Sequence, residues 1–233
     1  MKKYVFLAAC FLMSMNTFAQ QKETAKAKDV YSMPSQDYFM IQIGYDNWLN
    51  APDSFNINGI GRSFSAYLCY DFPMQKTNFS FAAGVGIGTS NIYFKDKELI
   101  LNDTSSTQIY VRDEILPYKK YKMTLGYVEA PFEFRYFGNK NNRNKGFKAA
   151  VGVKVGALIS AHTKGKYTLN GKTFNEKVVT KRYIETWKMA PTLRLGYGNF
   201  SIYGSYQVSN LFRLGSGPEG VTPVSIGICI SGL

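Results

Sequence analysis

Glu129 and Glu133 are the residues of this sequence most suggestive of catalysis, since paired carboxylates serve as acid and base in glycoside hydrolysis. The surrounding segment alternates apolar and polar residues, which predicts a β-strand. Along a strand, four residues separate the two carboxylates by about 13 Å, farther than a retaining or an inverting mechanism allows. The pair therefore does not indicate a glycosidase.

Two other patterns also fail as reactive centres. The glycines of Gly84-x-Gly86-x-Gly88 lack the Gly-x-x-Gly spacing and the following helix of a phosphate-binding loop. The single histidine, His162, excludes a multi-histidine metal site. We therefore expect no cofactor and no metal centre.

The chain has 233 residues, with 28 Lys and Arg against 16 Asp and Glu, and it begins with a segment typical of export. Lys2 and Lys3 precede an apolar stretch that ends at Met15, and Ala19 provides the small residue of a cleavage site. A lipoprotein cleavage box ending at Cys10 is the alternative, but apolar residues continue beyond it. We predict a signal peptide over residues 1–19, a flexible periplasmic leader over residues 20–36 and one folded domain over residues 37–233.

Beyond the leader, apolar and polar residues alternate in eight runs, as expected for strands with two different faces. Short connections near residues 73–76, 138–145 and 198–199 alternate with long ones near 49–61, 95–120, 163–183 and 211–221. This pattern is typical of an even-stranded antiparallel meander with tight turns at one end. The runs lie near residues 37–48, 62–73, 77–94, 121–137, 146–162, 184–198, 199–210 and 222–233.

The composition of the two faces indicates which one points outward. In the third run, Phe79, Phe81 and Val85 alternate with serine, alanine and glycine. A soluble β-sandwich or a lipocalin-like barrel is the alternative, but its outer face would carry Lys, Glu and Thr. Small residues instead suit the crowded interior of a narrow barrel.

The sequence thus predicts an all-β fold, an eight-stranded antiparallel transmembrane β-barrel in an up-and-down meander. Its turns would be short on the periplasmic side and its loops long on the extracellular side. The predicted location is the outer membrane of a Gram-negative bacterium, with the N-terminus in the periplasm.

An aromatic residue stands on the apolar face at the short-turn end of seven of the eight runs. Aromatic rings prefer the membrane–water interface, which predicts a periplasmic aromatic girdle. The eighth run ends instead at Leu233, on the inward parity. The girdle comprises Phe39, Phe72, Phe79, Tyr136, Phe147, Tyr197 and Phe200.

Charged residues on the polar parity would share the barrel interior, or lumen, where acids and bases must pair. The turn after Tyr136 would place Glu129 opposite Lys154, and the same register would place Arg135 opposite Lys148. Eight strands leave room only for side chains, which predicts a plugged lumen, with a narrow ion path as the alternative. The predicted ionic network comprises Asp46, Asp71, Glu129, Glu133, Arg135, Lys148, Lys154, Lys188 and Arg194.

Cys69 and Cys229 lie in the second and eighth runs, which the first run would separate when the barrel closes. Two strand spacings amount to about 9–10 Å, too far for a disulfide without distortion. We predict two free, inward thiols that pack as small apolar groups.

The connection 163–183 is strongly basic, and its Asn170-Gly171 pair between alternating flanks predicts a type I′ hairpin. A second candidate hairpin has flanks at 99–101 and 109–111. The basic surface admits three interpretations: a solvated face without a partner, a strand edge that adds a strand of another protein, and a site for the phosphates of outer-leaflet lipid. Its cations are Lys164, Lys166, Lys172, Lys177, Lys181 and Arg182.

The expected partners follow from this location. We expect contact with outer-membrane lipid and lipopolysaccharide and, through the loops, with other outer-membrane or surface proteins. Nucleic acid is not expected, because the positive charge lies on the outside of an exported protein. The barrel itself is expected to be monomeric.

The segment Tyr127-Val128-Glu129-Ala130-Pro131-Phe132 in the fourth run, together with the signal peptide and eight strands, resembles the PorT-like outer-membrane β-barrel family of Bacteroidota. The resemblance covers residues 37–233 and implies the same barrel. Most members have no assigned activity. One branch is similar to a component of a secretion apparatus for surface proteins.

These observations favour a structural or interaction role at the cell envelope, and we expect that the protein is not an enzyme. The alternatives are an accessory subunit of an outer-membrane secretion or assembly complex, a narrow channel and a lipid A-modifying enzyme. The enzyme would need a serine or carboxylate partner for His162 on the same outer face. No neighbouring run offers an obvious one, although Glu185 and loop serines stay open as candidates.

Overall fold

The computed structural model describes residues 39–74, 76–101, 108–113, 116–139 and 142–232. The predicted signal peptide, the leader and Leu233 lie outside these ranges. Within them, no helix is both long enough and apolar enough to cross a membrane. A short 3-10 helix, η1 (Asp53–Phe55), accompanies eleven strands: β1 (Phe39–Leu49), β2 (Arg62–Pro73), β3 (Phe79–Phe94), β4 (Lys97–Ile100), β5 (Tyr110–Asp113), β6 (Tyr118–Phe137), β7 (Phe147–Leu169), β8 (Lys172–Val179), β9 (Trp187–Tyr197), β10 (Phe200–Tyr206) and β11 (Thr222–Ser231).

Eight of the strands close into one antiparallel ring in the order β1, β2, β3, β6, β7, β9, β10 and β11. Each ring strand pairs with the next one along the chain, and the pairing of β11 with β1 joins the two ends. These strands correspond to the eight runs predicted from alternation. The predicted alternation of short and long connections is also confirmed.

The three remaining strands lie in the long connections. β4 pairs with β5, which confirms the flanks of the second candidate hairpin, although residues 102–107 between them lie outside the described ranges. β8 pairs with the outer part of β7, where Leu169 lies opposite Lys172. Asn170 and Gly171 have φ values of 48° and 73°, so the predicted Asn-Gly hairpin is confirmed.

The predicted register between β6 and β7 is wrong by two residues. Tyr136 lies opposite Ala149 rather than Phe147. The reason is the turn, in which the Gly138 amide donates to the Phe147 carbonyl at 2.8 Å. Gly138 thus pairs with Phe147, whereas the predicted register would place it opposite Lys145.

The predicted opposition of Glu129 to Lys154 and of Arg135 to Lys148 is wrong for the same reason. A shift of two residues preserves the face of every side chain, because side chains alternate with a period of two. The facing residues are Gly156 for Glu129 and Ala150 for Arg135.

The apolar face of the ring strands points away from the ring interior. Leu68, Val85 and Ile228 are 63%, 56% and 58% exposed. Inside, small residues face large ones: Gly86 lies opposite Tyr67, and a Cβ at Gly86 would stand only 2.7 Å from the Cα of Tyr67. The soluble alternatives, which place the apolar face inside, are therefore wrong.

Candidate functional site

All nine residues of the predicted ionic network lie on the inward face of the ring. Eight are buried, and Lys188 keeps 17% of its side chain exposed. Seven of them belong to two groups, one near the short turns and one at mid-height. Asp46 accepts a hydrogen bond from Ser225 Oγ, and Lys148 donates to Asn144 Oδ1 at 3.4 Å.

The group near the short turns is built around Glu133 on β6. Its Oε2 accepts from Arg135 Nε at 2.7 Å and from Arg194 Nη2 at 2.8 Å. Arg194 also donates through Nη1 to Ser231 Oγ at 3.1 Å. One carboxylate thus links β6, β9 and, through arginine, β11.

Asp71 on β2 extends this group to the turn below the ring. It accepts from Arg135 Nη1 at 2.8 Å and from Arg143 Nη1 at 3.0 Å. Arg143 belongs to the β6–β7 turn, and its guanidinium lies 4.7 Å from the ring centroid of Phe137. Sequence analysis missed Arg143, because alternation assigns faces only to strand residues.

The group at mid-height is built around Glu129. Lys188 Nζ donates to its Oε1 at 2.7 Å, and the Tyr67 hydroxyl donates to its Oε2. Lys154 reaches Gln42 Oε1 at 3.4 Å and lies over the Tyr203 ring. The partners of Glu129 thus come from β9 and β2, not from β7.

Little space remains between these side chains. Two cavities beside Lys188 have volumes of about 20 and 10 Å³. Each has room for about one water molecule.

The opposite half of the interior is apolar, which sequence analysis did not predict. Trp48 at the end of β1 is 4% exposed and packs edge-to-face on Phe94 and Phe212, with ring centroids at 5.8 and 5.9 Å. Phe55 of η1 packs on the same tryptophan. Below them, inward residues of the ring strands continue the cluster.

All four long connections contribute to this cluster, which we call the apolar cap. Backbone hydrogen bonds join the connections, as from Arg213 N to Tyr183 O at 2.9 Å and from Ile109 N to Ser216 O at 2.8 Å. The cap contains Trp48, Phe55, Ile92, Phe94, Leu99, Leu101, Ile109, Tyr121, Met123, Leu125, Tyr127, Leu158, Ala161, Tyr183, Ile184, Leu211, Phe212 and Val221.

An ion pair between exposed Arg112 and buried Glu98 borders the cap on the β4–β5 hairpin. Arg112 Nε lies 2.8 Å from Glu98 Oε2, and this hydrogen bond raises the pKa of Arg112. The pair keeps the Glu98 carboxylate, which is buried, beside a positive charge.

The residues of the predicted girdle lie on the outward face at the short-turn end of the strands. Phe79 lies opposite Tyr136, and Tyr197 lies opposite both Phe147 and Phe200. Five of the seven are exposed, namely Phe72, Phe79, Phe147, Tyr197 and Phe200, while Phe39 and Tyr136 are half-buried.

The six predicted basic residues of the connection 163–183 are all exposed, but the fold separates them. Lys164 and Lys166 lie in the outer part of β7 and point outward. Lys177 on β8 lies opposite Lys164. Lys172 lies at the hairpin tip, and Lys181 and Arg182 follow β8.

Cys69 and Cys229 are buried free thiols, as predicted. They lie on β2 and β11, with β1 between them, and belong to one small cluster with Met40, Tyr67 and Tyr203. Within the described ranges, no group of three His, Cys, Asp or Glu side chains could hold a metal ion.

Comparison with known proteins assigns the chain to a class. A family model described as the outer membrane protein beta-barrel domain matches residues 18–213. The chain therefore belongs to this family and is an outer-membrane β-barrel protein. No curated protein matches it.

Solved structures give weaker similarities. One of them is Ail, the attachment invasion locus protein of Yersinia pestis, in complex with the heparin analogue sucrose octasulfate. Its sequence is 11% identical to this chain, and the TM-score is 0.38. A second Ail structure is 14% identical, with a TM-score of 0.37, and both comparisons cover 85% of this chain and 98% of Ail. A triple mutant of Rhodopseudomonas blastica porin is 10% identical, with a TM-score of 0.19, over 85% of this chain and all of the porin chain.

Replacing Glu133 with Gln should lower the free energy of unfolding by about 3–5 kcal/mol, because two buried arginines lose a carboxylate partner. The measurement is the urea midpoint of the full chain in lipid vesicles. The control is Asp113→Asn, which breaks the ion pair with Lys97. This ion pair is a suitable control because the Asp113 side chain is 89% exposed. It should cost less than about 1 kcal/mol. Equal losses in the two variants would contradict the central position of Glu133.

Proposed function

We propose that this protein is a small integral outer-membrane barrel with a plugged lumen and a structural or interaction role at the cell envelope. The eight ring strands cross the membrane, and the protein has no catalytic activity. The observation that carries the proposal is a ring with an apolar outer face and an interior filled with side chains.

The outer face supports insertion into a membrane. Exposed apolar side chains on different sides of the ring include Ile43, Val151 and Ile202, at 58%, 57% and 65% exposure. Burial of apolar surface is favourable by about 25 cal/mol per Å², so this surface favours a hydrocarbon environment. Seven of the eight ring strands have ten or more residues, enough for a tilted strand that spans the bilayer core.

The two ends of the ring support an orientation with the short turns and the N-terminus in the periplasm. In outer-membrane barrels the periplasmic turns are short and the extracellular loops long. Here the short turns lie beside the outward aromatic residues Phe79 and Tyr136, whereas all four long connections meet in the apolar cap. The cap would then close the extracellular end.

The filled interior favours a plugged barrel over a narrow channel. An ion would have to break the Glu133–arginine group and then cross the apolar cap. The apolar side chains of the cap could not replace the water molecules that hydrate the ion. Both barriers lie along the same axis of the ring.

The surroundings of His162 favour a protein without enzymatic activity. The residues opposite it are Thr124 and Val179, neither of which is a carboxylate. The Thr124 hydroxyl is hydrogen-bonded to Asn91 Oδ1 at 2.8 Å. Within the described part of the chain, His162 Nδ1 is buried and has no hydrogen-bond partner that could orient the ring.

The PorT-like resemblance supports the fold rather than a special activity. In its signature, Glu129 is the centre of the mid-height ionic group, and the Lys188 ammonium lies 4.9 Å from the ring centroid of Tyr127. Pro131 lies opposite Lys154. We propose that the chain belongs to the PorT-like family on these residues, whose contacts give the signature a packing role.

The two tryptophans allow a direct test of membrane insertion. Trp187 is 64% exposed on the outward face, whereas Trp48 is buried in the cap. In vesicles of phosphatidylcholine brominated on its acyl chains, the fluorescence of Trp48→Phe should be strongly quenched and that of Trp187→Phe should change little. Heat-modifiable gel migration checks that both variants fold. Quenching of Trp48 and not of Trp187 would contradict the outward apolar face.

Planar-bilayer recording tests the plugged lumen. The inserted wild-type protein should give no steady openings at moderate voltages, because the ionic groups and the cap fill the interior. The control is a large-pore porin inserted in the same bilayer, which shows that openings are detectable. Steady openings of the wild-type protein of porin size would refute the plug.

The free edge of β8 favours a second role, as an accessory subunit of an outer-membrane complex. β8 pairs with β7 on one side, and its other edge has no strand partner among the described residues. An unpaired edge can accept a strand of another protein.

A photo-crosslinker tests the accessory role in cells. Placed at Asn175 on β8, it should yield one crosslinked protein in stoichiometric amounts, whereas the same group at Lys145 in the opposite turn should not. Recovery of no stoichiometric partner from Asn175 would favour a free-standing barrel.

A further inference from the structure

Lysines face one another across the ring strands β6 and β7 and the hairpin strand β8, near the long connections. Lys122 on β6 lies opposite Lys164 on β7, which in turn lies opposite Lys177 on β8. Two residues further along each strand, Lys120 lies opposite Lys166. Directly opposed like charges destabilise a sheet. Lys122 Nζ donates to the neutral Asn91 Oδ1 at 2.7 Å. A bound anion would relieve the repulsion within this lysine row, Lys122, Lys164 and Lys177.

The chain supplies no counter-charge to the row within its described ranges. The carboxylate of Glu176 lies on β8 next to Lys177, but Glu176 faces Gly165 and thus points to the other side of the hairpin. There it accepts from the Tyr118 hydroxyl at 2.8 Å. No ion pair of the described residues includes a lysine of the row.

A cleft of about 250 Å³ continues the basic surface toward β2 and β3. The Tyr93 ring forms part of its wall, and the ammonium groups of Lys120 and Lys122 lie 5.7 and 6.0 Å from its centroid. The other cations that line the cleft are Arg62, Lys95 and Lys119. Row and cleft together could bind more than one phosphate.

The position of the row relative to the outward apolar surface indicates the source of the anion. Between the short turns and the row, the last exposed apolar residue is Val128 on β6 and Ile159 on β7, at 41% and 53% exposure. Thr124 and His162 follow on the same face, and the row comes directly after them. A side chain at this level of an inserted barrel lies among lipid headgroups.

We infer that the lysine row and its cleft bind the phosphate groups of an outer-leaflet glycolipid. The inference rests on the proposed insertion and orientation of the barrel. A soluble acidic protein is less favoured, because the row lies on the lipid-facing side of the ring.

The test uses the full chain in phosphatidylcholine nanodiscs that contain diphosphorylated lipid A, with retained lipid counted by native mass spectrometry. The row variant is Lys164→Gln with Lys177→Gln. Loss of two charge-assisted contacts should raise the lipid A concentration needed for half-occupancy by about tenfold or more. Lys76→Gln with Lys145→Gln removes the same charge at the opposite end and should stay within about twofold of the wild type.

Two further measurements separate the outcomes. Without lipid A, the urea midpoint of the row variant should equal or exceed that of the wild type, because repulsion is removed. Dephosphorylated lipid A should not be retained. Unchanged lipid A binding by the row variant would overturn the inference. Tighter binding of inorganic pyrophosphate or of a poly-glutamate peptide than of lipid A would also overturn it, in favour of a soluble anion or an acidic protein.

The proposed function is checked separately by insertion into nanodiscs without lipid A. Failure of the wild type to insert would overturn the membrane barrel and the lipid site together. Normal insertion with equal binding by wild type and row variant would overturn the lipid site alone.

Discussion

Closure of eight strands into a ring leaves an interior that is only wide enough for side chains. Every inward residue must therefore fit against those on the opposite wall. Glycines provide the space, as where Gly86 faces Tyr67. Arginine and tyrosine fill it. Because these small and polar residues occupy the interior, the apolar face of each strand points outward. The membrane location of the family follows from this arrangement.

The interior satisfies this constraint in two ways. Near the short turns, carboxylates such as Glu133 and Asp71 bind arginines from different strands. A buried ion pair gives little net stability, but it fixes which partners meet, and a mispaired register would leave charges unpaired. Near the long connections, Trp48 and Phe212 close the ring with apolar contacts instead. The polar half fixes the arrangement of the strands, and the apolar half orders the loops.

Beyond the ring, the β7–β8 hairpin has two different faces. One carries aromatic side chains, with Tyr167 stacked on Phe174 at 5.4 Å, and the other carries the lysine row. Aromatic contacts hold the hairpin together despite the repulsion between its lysines. The charged face is thereby kept in a fixed geometry that an isolated flexible loop would not provide.

Local sequence determined the strands, their faces and the Asn170-Gly171 hairpin, because alternation and turn chemistry act over a few residues. It also located the inward charges, since a register error of two residues does not change a face. Only the tertiary structure decided which charges meet, as with Glu129 and Lys188 instead of Lys154. Strand pairing and curvature set those distances. The same holds for Arg143 and for the apolar cap, because their residues come from turns and loops that lack a periodic pattern and meet only when the ring has closed.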